Sequence, residues 1–185
     1  MKECRPLFLL HRVDHTIKKM KAHAANMITI GNLSFGGASI MTTLNESYSY
    51  SVLFIFIAAL LDRFDGMVAR KLGQESELGK QLDSMSDIIS FGVAPAILIY
   101  MVDLFEFGTA GMVITIIYIS CGAFRLARFN IMESNGYFTG LPITAAGTLL
   151  TLSYFGLSIF APVFYMFLMP ILAILMISTF TLKKV

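Results

Sequence analysis

The chain has 185 residues, of which 56% are hydrophobic and 14% are charged, and its mean hydropathy is +0.73. This composition excludes an ordinary water-soluble domain and indicates an integral membrane protein. The formal net charge of +2 is not the basic surplus that nucleic-acid-binding domains carry, so no nucleic-acid partner is expected.

Residues 1–24 are too charged to span a bilayer, yet their apolar residues recur at steps of three and four. This spacing is typical of an amphipathic helix, and the apolar positions are Leu7, Leu10, Val13, Ile17 and Met20. The basic residues occupy other positions, where they would contact anionic lipid headgroups. We therefore predict an N-terminal interfacial amphipathic helix over residues 1–24; the alternative is a frayed cytosolic tail.

Six apolar runs follow, and each is near the ~20 residues that a membrane-spanning helix needs or reaches that length with adjoining polar residues. They cover residues 27–45, 51–61, 88–102, 109–124, 139–160 and 162–182. No linker rich in Pro, Gly or Ser and no internal repeat divides them. The sequence thus predicts an all-α integral membrane fold, with a single six-transmembrane-helix bundle over residues 25–185.

The basic residues support a count of six spans. All 14 lysines and arginines fall in four zones, which are the N-terminal segment, residues 63–80, the pair Arg125 and Arg128, and the pair Lys183 and Lys184. Six helices place all four zones on one side of the membrane, and the loops on the other side contain no basic residue. This positive-inside pattern predicts a multi-pass protein of the cell membrane with both termini on the cytosolic side.

Four aspartates interrupt the apolar pattern between the second and third runs. Asp62 and Asp65 are three residues apart, and Asp83 and Asp87 are four apart, so each pair shares one face of a helix. Acids at membrane depth are costly, and aspartate oxygens are the hard ligands that Mg²⁺ and Mn²⁺ prefer. The spacing therefore predicts a metal site with Asp62, Asp65, Asp83 and Asp87 as ligands.

Ion pairing at two helix ends is the structural alternative for these acids. Arg63, Arg70 and Lys80 are near enough in sequence to neutralise them. Such pairing does not explain why all four acids are aspartates, so the metal site is the preferred interpretation.

Small residues and one arginine surround the predicted metal site. Gly66, Ala69 and Gly79 leave room for close helix packing and for a bulky ligand. Arg70, one turn beyond Gly66, could bind a phosphate through two N–H groups. Divalent cations beside an arginine are the arrangement that holds a phosphoryl group under in-line attack. We therefore expect a large, phosphate-bearing substrate.

These residues resemble the complete signature of the CDP-alcohol phosphotransferases. Every defining position is present, in the order Asp62-x-x-Asp65-Gly66-x-x-Ala69-Arg70, eight residues, Gly79-x-x-x-Asp83-x-x-x-Asp87. The resemblance implies a six-helix bundle, usually a homodimer, whose aspartates hold Mg²⁺ or Mn²⁺ at the cytosolic surface of the membrane. It also implies that this site grips the diphosphate of a CDP-linked lipid while an alcohol hydroxyl displaces CMP.

The same resemblance implies roles for single residues. Asp87 would be the catalytic base that takes the proton of the alcohol, with Asp83 beside it as a second catalytic residue. Contacts to the CDP-lipid are implied for Asn26, Thr29, Asp62, Gly66, Ala69, Arg70 and Gly79.

Two later segments narrow the choice of alcohol. Residues 121–131 and 138–147 are similar to parts of the bacterial and archaeal phosphatidylserine synthases within this family, which implies CDP-diacylglycerol and L-serine as substrates. Arg125 and Arg128 lie three apart and could face one pocket, where they would bind the serine carboxylate together with Asn130. The alternative for the two arginines is anchoring at the cytosolic surface.

Two other functions are left open by the residues. A different acceptor, such as glycerol 3-phosphate or an inositol phosphate, would call for additional basic residues to bind its extra phosphate. A divalent-cation transporter would also carry intramembrane acids. A transporter needs acids along a path to the opposite face, whereas the four aspartates all lie towards cytosolic helix ends, so enzymatic transfer is the preferred prediction.

Overall fold

A computed structural model describes residues 26–72, 77–131, 137–156, 161–178 and 181–183. For residues 68–72, 137–139 and 181–183 it describes the backbone alone. The predicted interfacial helix over residues 1–24 lies outside the described residues.

The first half of the described chain is helical, as the apolar runs predict. Helix α1 covers residues 26–44, and α2 covers Tyr48–Leu72. Helix α3 (Glu77–Asp87) continues through a π-helical turn (Ile88–Val93) into α4 (Ala94–Val102). The last three segments form one continuous rod of 26 residues.

The second half contains three further helices. A 3₁₀ turn (Leu104–Phe107) leads into α5 (Thr109–Ile131). Helix α6 (Ile143–Ser153) ends in a second 3₁₀ turn (Tyr154–Gly156). Helix α7 (Pro162–Ile177) begins with a proline, a residue whose missing N–H and fixed φ suit the first turn of a helix.

A short antiparallel ribbon joins the α5–α6 connection to the chain beyond α7. Strand β1 (Tyr137–Thr139) pairs with β2 (Thr181–Lys183), and Phe138 lies opposite Leu182. The all-α prediction holds for the architecture, but it did not include this ribbon.

The ribbon corrects two predicted boundaries. Hydropathy extended helices over residues 139–160 and 162–182, whereas α6 begins at Ile143 and α7 ends at Ile177. Gly140 adopts a φ of 76° and Pro142 precedes α6, and neither residue suits the interior of a helix.

Two described helical segments are long and apolar enough to cross a membrane, judged by length and composition. They are Glu77–Val102 and Thr109–Ile131. The segments Ile143–Gly156 and Pro162–Ile177 are apolar but shorter. Together with the composition, these segments fit a membrane protein.

The outer surface of the bundle is apolar. Large hydrophobic side chains on α5 and α7 are exposed, among them Ile116, Phe167 and Ile174. In water, an apolar surface of this extent would promote aggregation. In a bilayer it is the surface that faces lipid.

The interior combines apolar packing with buried hydroxyl contacts. Tyr118, Tyr165 and Met169 are fully buried in the main core, where α5 packs against α7. At the turn between α1 and α2, the buried Ser51 hydroxyl is 2.8 Å from that of Ser39. Small residues and hydroxyl pairs allow close helix contacts in membrane proteins.

Candidate metal centre

Three of the four aspartates converge where α2 meets α3. Asp62, Asp83 and Asp87 each offer a carboxylate oxygen within 4.8 Å of the others. The three side chains are half-buried, and the carboxyl groups of Asp62 and Asp87 are in hydrogen-bonding contact. Carboxyl groups this close require a shared proton or a cation between them. The predicted spacing therefore does bring acids of both helices together.

Asp65 is the fourth member of this acidic centre, but its surroundings differ. Its side chain is only 6% exposed, and one carboxylate oxygen accepts a 2.8 Å hydrogen bond from the Thr29 hydroxyl. It lies close enough to Asp62 and Asp83 to interact with them electrostatically. Asp65 is thus oriented by α1, a helix that carries none of the aspartates.

Helix α1 is also held against the α3–α4 rod by two serines. The Ser86 hydroxyl donates to the Thr29 carbonyl at 3.1 Å, and the Ser90 hydroxyl donates to the Asn32 carbonyl at 3.2 Å. All of these side chains are buried. Thr29 therefore connects Asp65 of α2 to the helix that carries Asp83 and Asp87.

The sequence analysis missed these two serines, although a signal for them exists. Each aspartate of α3 is followed three residues later by a serine, Asp83 by Ser86 and Asp87 by Ser90. This spacing puts the serines on nearly the same helical face as the acids. The small Gly36 of α1 completes the contact, because a Cβ there would lie 2.9 Å from the Ser90 Cα.

A π-helical turn begins directly after Asp87. Such turns are rare and occur often at functional sites, since they leave backbone carbonyls free for other contacts. Here the Phe91 carbonyl accepts a long hydrogen bond of 3.4 Å from the buried Tyr118 hydroxyl of α5. The turn thus ties the aspartate helix to α5.

Arg125 of α5 is buried within electrostatic range of the acidic centre. Its side chain is 7% exposed and interacts electrostatically with Asp87. Among the described residues, its Nε has no hydrogen-bond partner. A buried guanidinium with an unused donor next to carboxylates is suited to bind an additional anionic group.

The other two residues predicted to bind serine contact the protein itself. Arg128 donates from Nη1 to the Ile177 carbonyl at 3.2 Å, and so contacts the end of α7. Asn130 donates from Nδ2 to the Ser84 hydroxyl at 2.9 Å, next to Asp83. The structure therefore separates Arg125 from Arg128, which sequence spacing alone had grouped.

The residues implied in CDP-lipid binding lie along the same end of α1, α2 and α3. Asn26 stands at the start of the described part of α1, one turn before Thr29, while Gly66 directly follows Asp65. Gly79 lies one turn before Asp83 on α3. The side chains of Ala69 and Arg70 lie outside the described part of the chain.

The donor set fits a hard divalent cation. It consists of aspartate oxygens from two helices, half-buried and close to one another. Mg²⁺ and Mn²⁺ prefer such oxygen ligands. Asp62, Asp83 and Asp87 could hold a cation directly, and Asp65 is placed to take part in the same centre.

Comparison with known proteins gives one family. The family model described as CDP-alcohol phosphatidyltransferase matches residues 22–182 of the chain. This range includes all four aspartates, Arg125 and the described helices.

Individual relatives are similar over most of the chain. The CDP-diacylglycerol–serine O-phosphatidyltransferase of Bacillus subtilis (strain 168) is 44% identical over 130 residues, which are 70% of this chain and 73% of that protein. The archaetidylserine synthase of Methanothermobacter thermautotrophicus is 36% identical over 163 residues, covering 86% and 69% respectively. A CDP-diacylglycerol–serine O-phosphatidyltransferase of Methanocaldococcus jannaschii is 46% identical over 112 residues, covering 60% of this chain and 54% of that protein.

Proposed function

The chain belongs to the CDP-alcohol phosphatidyltransferase family, and on that premise we propose that it transfers the phosphatidyl group of CDP-diacylglycerol to L-serine. The products are phosphatidylserine and CMP. The convergence of Asp62, Asp83 and Asp87 is the observation that carries the proposal. Adjacent carboxylates can hold a divalent cation, and transfer from a diphosphate needs the positive charge that such a cation supplies. The names of the relatives from Bacillus subtilis and Methanocaldococcus jannaschii support serine as the acceptor.

The aspartates hold Mg²⁺ or Mn²⁺ in this proposal. When bound, the cation supplies positive charge that neutralises the diphosphate and stabilises the departing phosphate. Asp62, Asp65, Asp83 and Asp87 are its ligands, and the Thr29 hydroxyl orients Asp65.

Asp87 is the proposed base. The serine hydroxyl attacks the phosphorus that carries diacylglycerol, the bond from that phosphorus to the oxygen bridging to CMP breaks, and the hydroxyl proton goes to the Asp87 carboxylate. One oxygen of this carboxylate is buried and has no hydrogen-bond partner among the described residues. It is therefore available to accept a proton, while Asp83, one turn earlier, keeps its role as a ligand and catalytic neighbour.

Arg125 is the proposed partner of the serine carboxylate. It is buried beside Asp87 and has an unused Nε, so it can place the amino acid next to the base. Arg128 and Asn130 each donate one hydrogen bond to the protein itself, to Ile177 and Ser84 respectively. We therefore propose Arg125 as the main contact of the serine carboxylate among the three predicted residues.

The CDP-lipid is proposed to lie over the ends of α1, α2 and α3. Asn26, Thr29, Gly66 and Gly79 lie along this end of the bundle, and glycine, which has no side chain, allows close approach of a diphosphate. Ala69 and Arg70 follow on α2, and Arg70 is proposed to bind a phosphate.

We also propose the predicted membrane arrangement. Six spans are supported by six helical units among the described residues: α1, α2, the α3–α4 rod, α5, α6 and α7. The positive-inside pattern supports a cytosolic active site with both termini on that side. Homodimer formation is proposed from the family resemblance.

One assay tests the function. The purified protein is incubated with CDP-diacylglycerol and Mn²⁺ or Mg²⁺, and CMP release is measured with serine, glycerol 3-phosphate or an inositol phosphate as acceptor. We expect release with serine and none with Asp62→Asn as the matched control. Release with glycerol 3-phosphate instead would overturn the choice of acceptor, and no release with any acceptor would overturn the transferase itself.

A further inference from the structure

An apolar groove of about 360 Å³ lies between α5 and α7. Ile117 and Cys121 form its α5 wall, and Pro170, Ala173, Ile174 and Ile177 form its α7 wall. Ile174 is 68% exposed, so the groove opens on the outer surface of the bundle. A groove of this kind in a membrane protein must be covered by lipid or by protein.

Two polar side chains lie at one end of the groove. Ser178 lines it there, and Arg128 reaches the same end because its Nη1 donates to the Ile177 carbonyl. The Arg128 Nη2 and the Ser178 hydroxyl oxygen are buried, and neither has a hydrogen-bond partner among the described residues. Buried donors without partners are costly, so a ligand that accepts hydrogen bonds is expected at this position.

The apolar groove and the polar groups at its end match the acyl chain and the phosphodiester of a phospholipid. An acyl chain needs an apolar slot, and a phosphodiester needs an arginine and a hydroxyl donor. We infer that this groove binds a phospholipid of the bilayer, with one acyl chain between α5 and α7 and its phosphodiester against Arg128 and Ser178. The two unpartnered polar atoms favour a lipid as the occupant, because the apolar helix faces that a second copy presents would offer them no hydrogen-bond acceptor.

This lipid is distinct from the CDP-lipid that is transformed. The diphosphate of the substrate belongs to the aspartates of α2 and α3, whereas the groove lies along α5 and α7. On α5, Ile117, Cys121 and Arg128 are four and seven residues apart and share one face. Arg125, four residues after Cys121, lies at the edge of that face and is buried with Tyr118 and Gly122 on the side of α5 that packs in the bundle, so we assign the two arginines to two sites.

Cys121 provides a direct test of occupancy. The sequence contains two cysteines, Cys4 and Cys121, so Cys4→Ser leaves a single thiol on the groove wall. Its rate of alkylation by N-ethylmaleimide is measured in detergent with EDTA, while dioleoyl-phosphatidylglycerol is titrated into the micelles. We expect the phospholipid to slow alkylation in a saturable way, and dioleoylglycerol, which has no phosphate, to do so about tenfold more weakly.

Variants of the polar end identify the phosphate contact. In the Cys4→Ser background, Arg128→Gln should weaken protection by phosphatidylglycerol about tenfold. Arg63→Gln removes the same charge from an exposed position on α2 and should leave protection unchanged. Because Arg128 also contacts the end of α7, Ser178→Ala serves as a second variant, and it should weaken protection while keeping that contact.

Three outcomes would overturn the inference. Equal protection by both lipids would mean that no phosphate is recognised. Protection by CDP-diacylglycerol alone would mean that the groove holds substrate. Alkylation that depends on protein concentration and not on lipid would mean that a second copy covers the groove. The assay contains EDTA and measures no turnover, so its result is independent of the proposed transferase activity.

Discussion

At the scale of single residues, Asp87 and Arg125 have proposed roles that set them apart: Asp87 is the base, and Arg125 binds the serine carboxylate. Asp87 belongs to the cluster of three aspartates and also interacts with Arg125. Asp87 is therefore close to both the proposed cation and the proposed site of serine. This position between both partners is what a base for the serine hydroxyl requires.

Replacing Asp87 by Asn tests that role. We expect turnover to fall by at least ~10²-fold, the usual size of a general-base contribution, because the amide cannot accept the proton. Binding of CDP-diacylglycerol in the presence of Mn²⁺ should remain near the wild-type level, since three other aspartates are retained. Turnover and lipid binding are measured on the same preparation, and a parallel loss of both would make Asp87 chiefly a metal ligand.

Replacing Arg125 by Gln tests the site of serine. The variant should raise the KM for serine about tenfold or more, because a charge-assisted hydrogen bond to the carboxylate is lost. The KM for CDP-diacylglycerol should change little. Asn130→Ala is the matched control, since Asn130 bonds to Ser84, and it should leave the serine KM nearly unchanged; an equal rise in both variants would contradict the assignment.

At the scale of helices, α1 orients Asp65 although it carries none of the four aspartates. Thr29 donates to Asp65 through its side chain and accepts from Ser86 through its carbonyl. The relative placement of α2 and α3, and hence of the carboxylates, depends on this helix. Hydrogen-bond partners of metal ligands commonly change metal affinity by 10- to 100-fold when they are removed.

Thr29→Val should therefore weaken Mn²⁺ binding by about tenfold, while the protein still folds, because valine has nearly the shape of threonine. Thr29→Ser keeps the hydroxyl and should restore most of the affinity. Free and bound Mn²⁺ are distinguished by electron paramagnetic resonance in the absence of substrates. Unchanged Mn²⁺ affinity in the valine variant would show that Asp65 needs no support from α1.

Two adjacent glycines provide a matched test of the contact between α1 and the α3–α4 rod. A Cβ at Gly36 would collide with Ser90, whereas a Cβ at Gly37 meets nothing within 4 Å. Gly36→Ala should lower stability by about 1–3 kcal/mol, the usual cost of overpacking. Gly37→Ala should be neutral or stabilising by up to ~1 kcal/mol, because alanine favours helix. Thermal unfolding in detergent compares them, and equal midpoints would refute the close contact.

At the scale of the whole molecule, we expect the acidic centre to make the stability of the folded protein depend on metal. Four carboxylates held together repel one another unless a cation is present, and a ligand that binds only the folded state stabilises it. Mn²⁺ or Mg²⁺ should raise the midpoint of thermal unfolding and restore activity after EDTA treatment. Asp62→Asn should reduce both effects, and a midpoint that is insensitive to metal would argue against a built-in cation site.

The sequence was sufficient for the mainly helical architecture and for the convergence of the acids, while the number of membrane spans stays a prediction. Hydropathy predicts the helices, and aspartates at intervals of three and four can converge only if α2 and α3 pair at those faces. Family resemblance adds the reaction. These properties depend on local spacing, which a sequence displays directly.

The remaining features depend on how helices are rotated and paired, which local spacing does not determine. Arg125 and Arg128 are equivalent as a sequence pattern, yet the rotation of α5 turns one to Asp87 and the other to Ile177. The ribbon pairs residues 137–139 with residues 181–183. These segments are far apart in sequence, so hydropathy alone could not predict the pairing and assigned parts of them to helix ends. The role of Thr29 as a link between α2 and α3 likewise appears only when three helices are assembled.

The π-helical turn at Ile88–Val93 rotates α3 relative to α4 about the axis of the rod. A turn closed by i→i+5 hydrogen bonds holds one residue more than an α-helical turn, and one residue corresponds to about 100° of rotation. The face carrying Asp83 and Asp87 is therefore set separately from the face of α4 that packs in the core. Deleting one residue within this turn would convert it to regular α-helix and rotate Asp83 and Asp87 away from Asp62. The extra residue of the turn therefore sets the angle between α4, which packs in the core, and the part of α3 that carries the two aspartates.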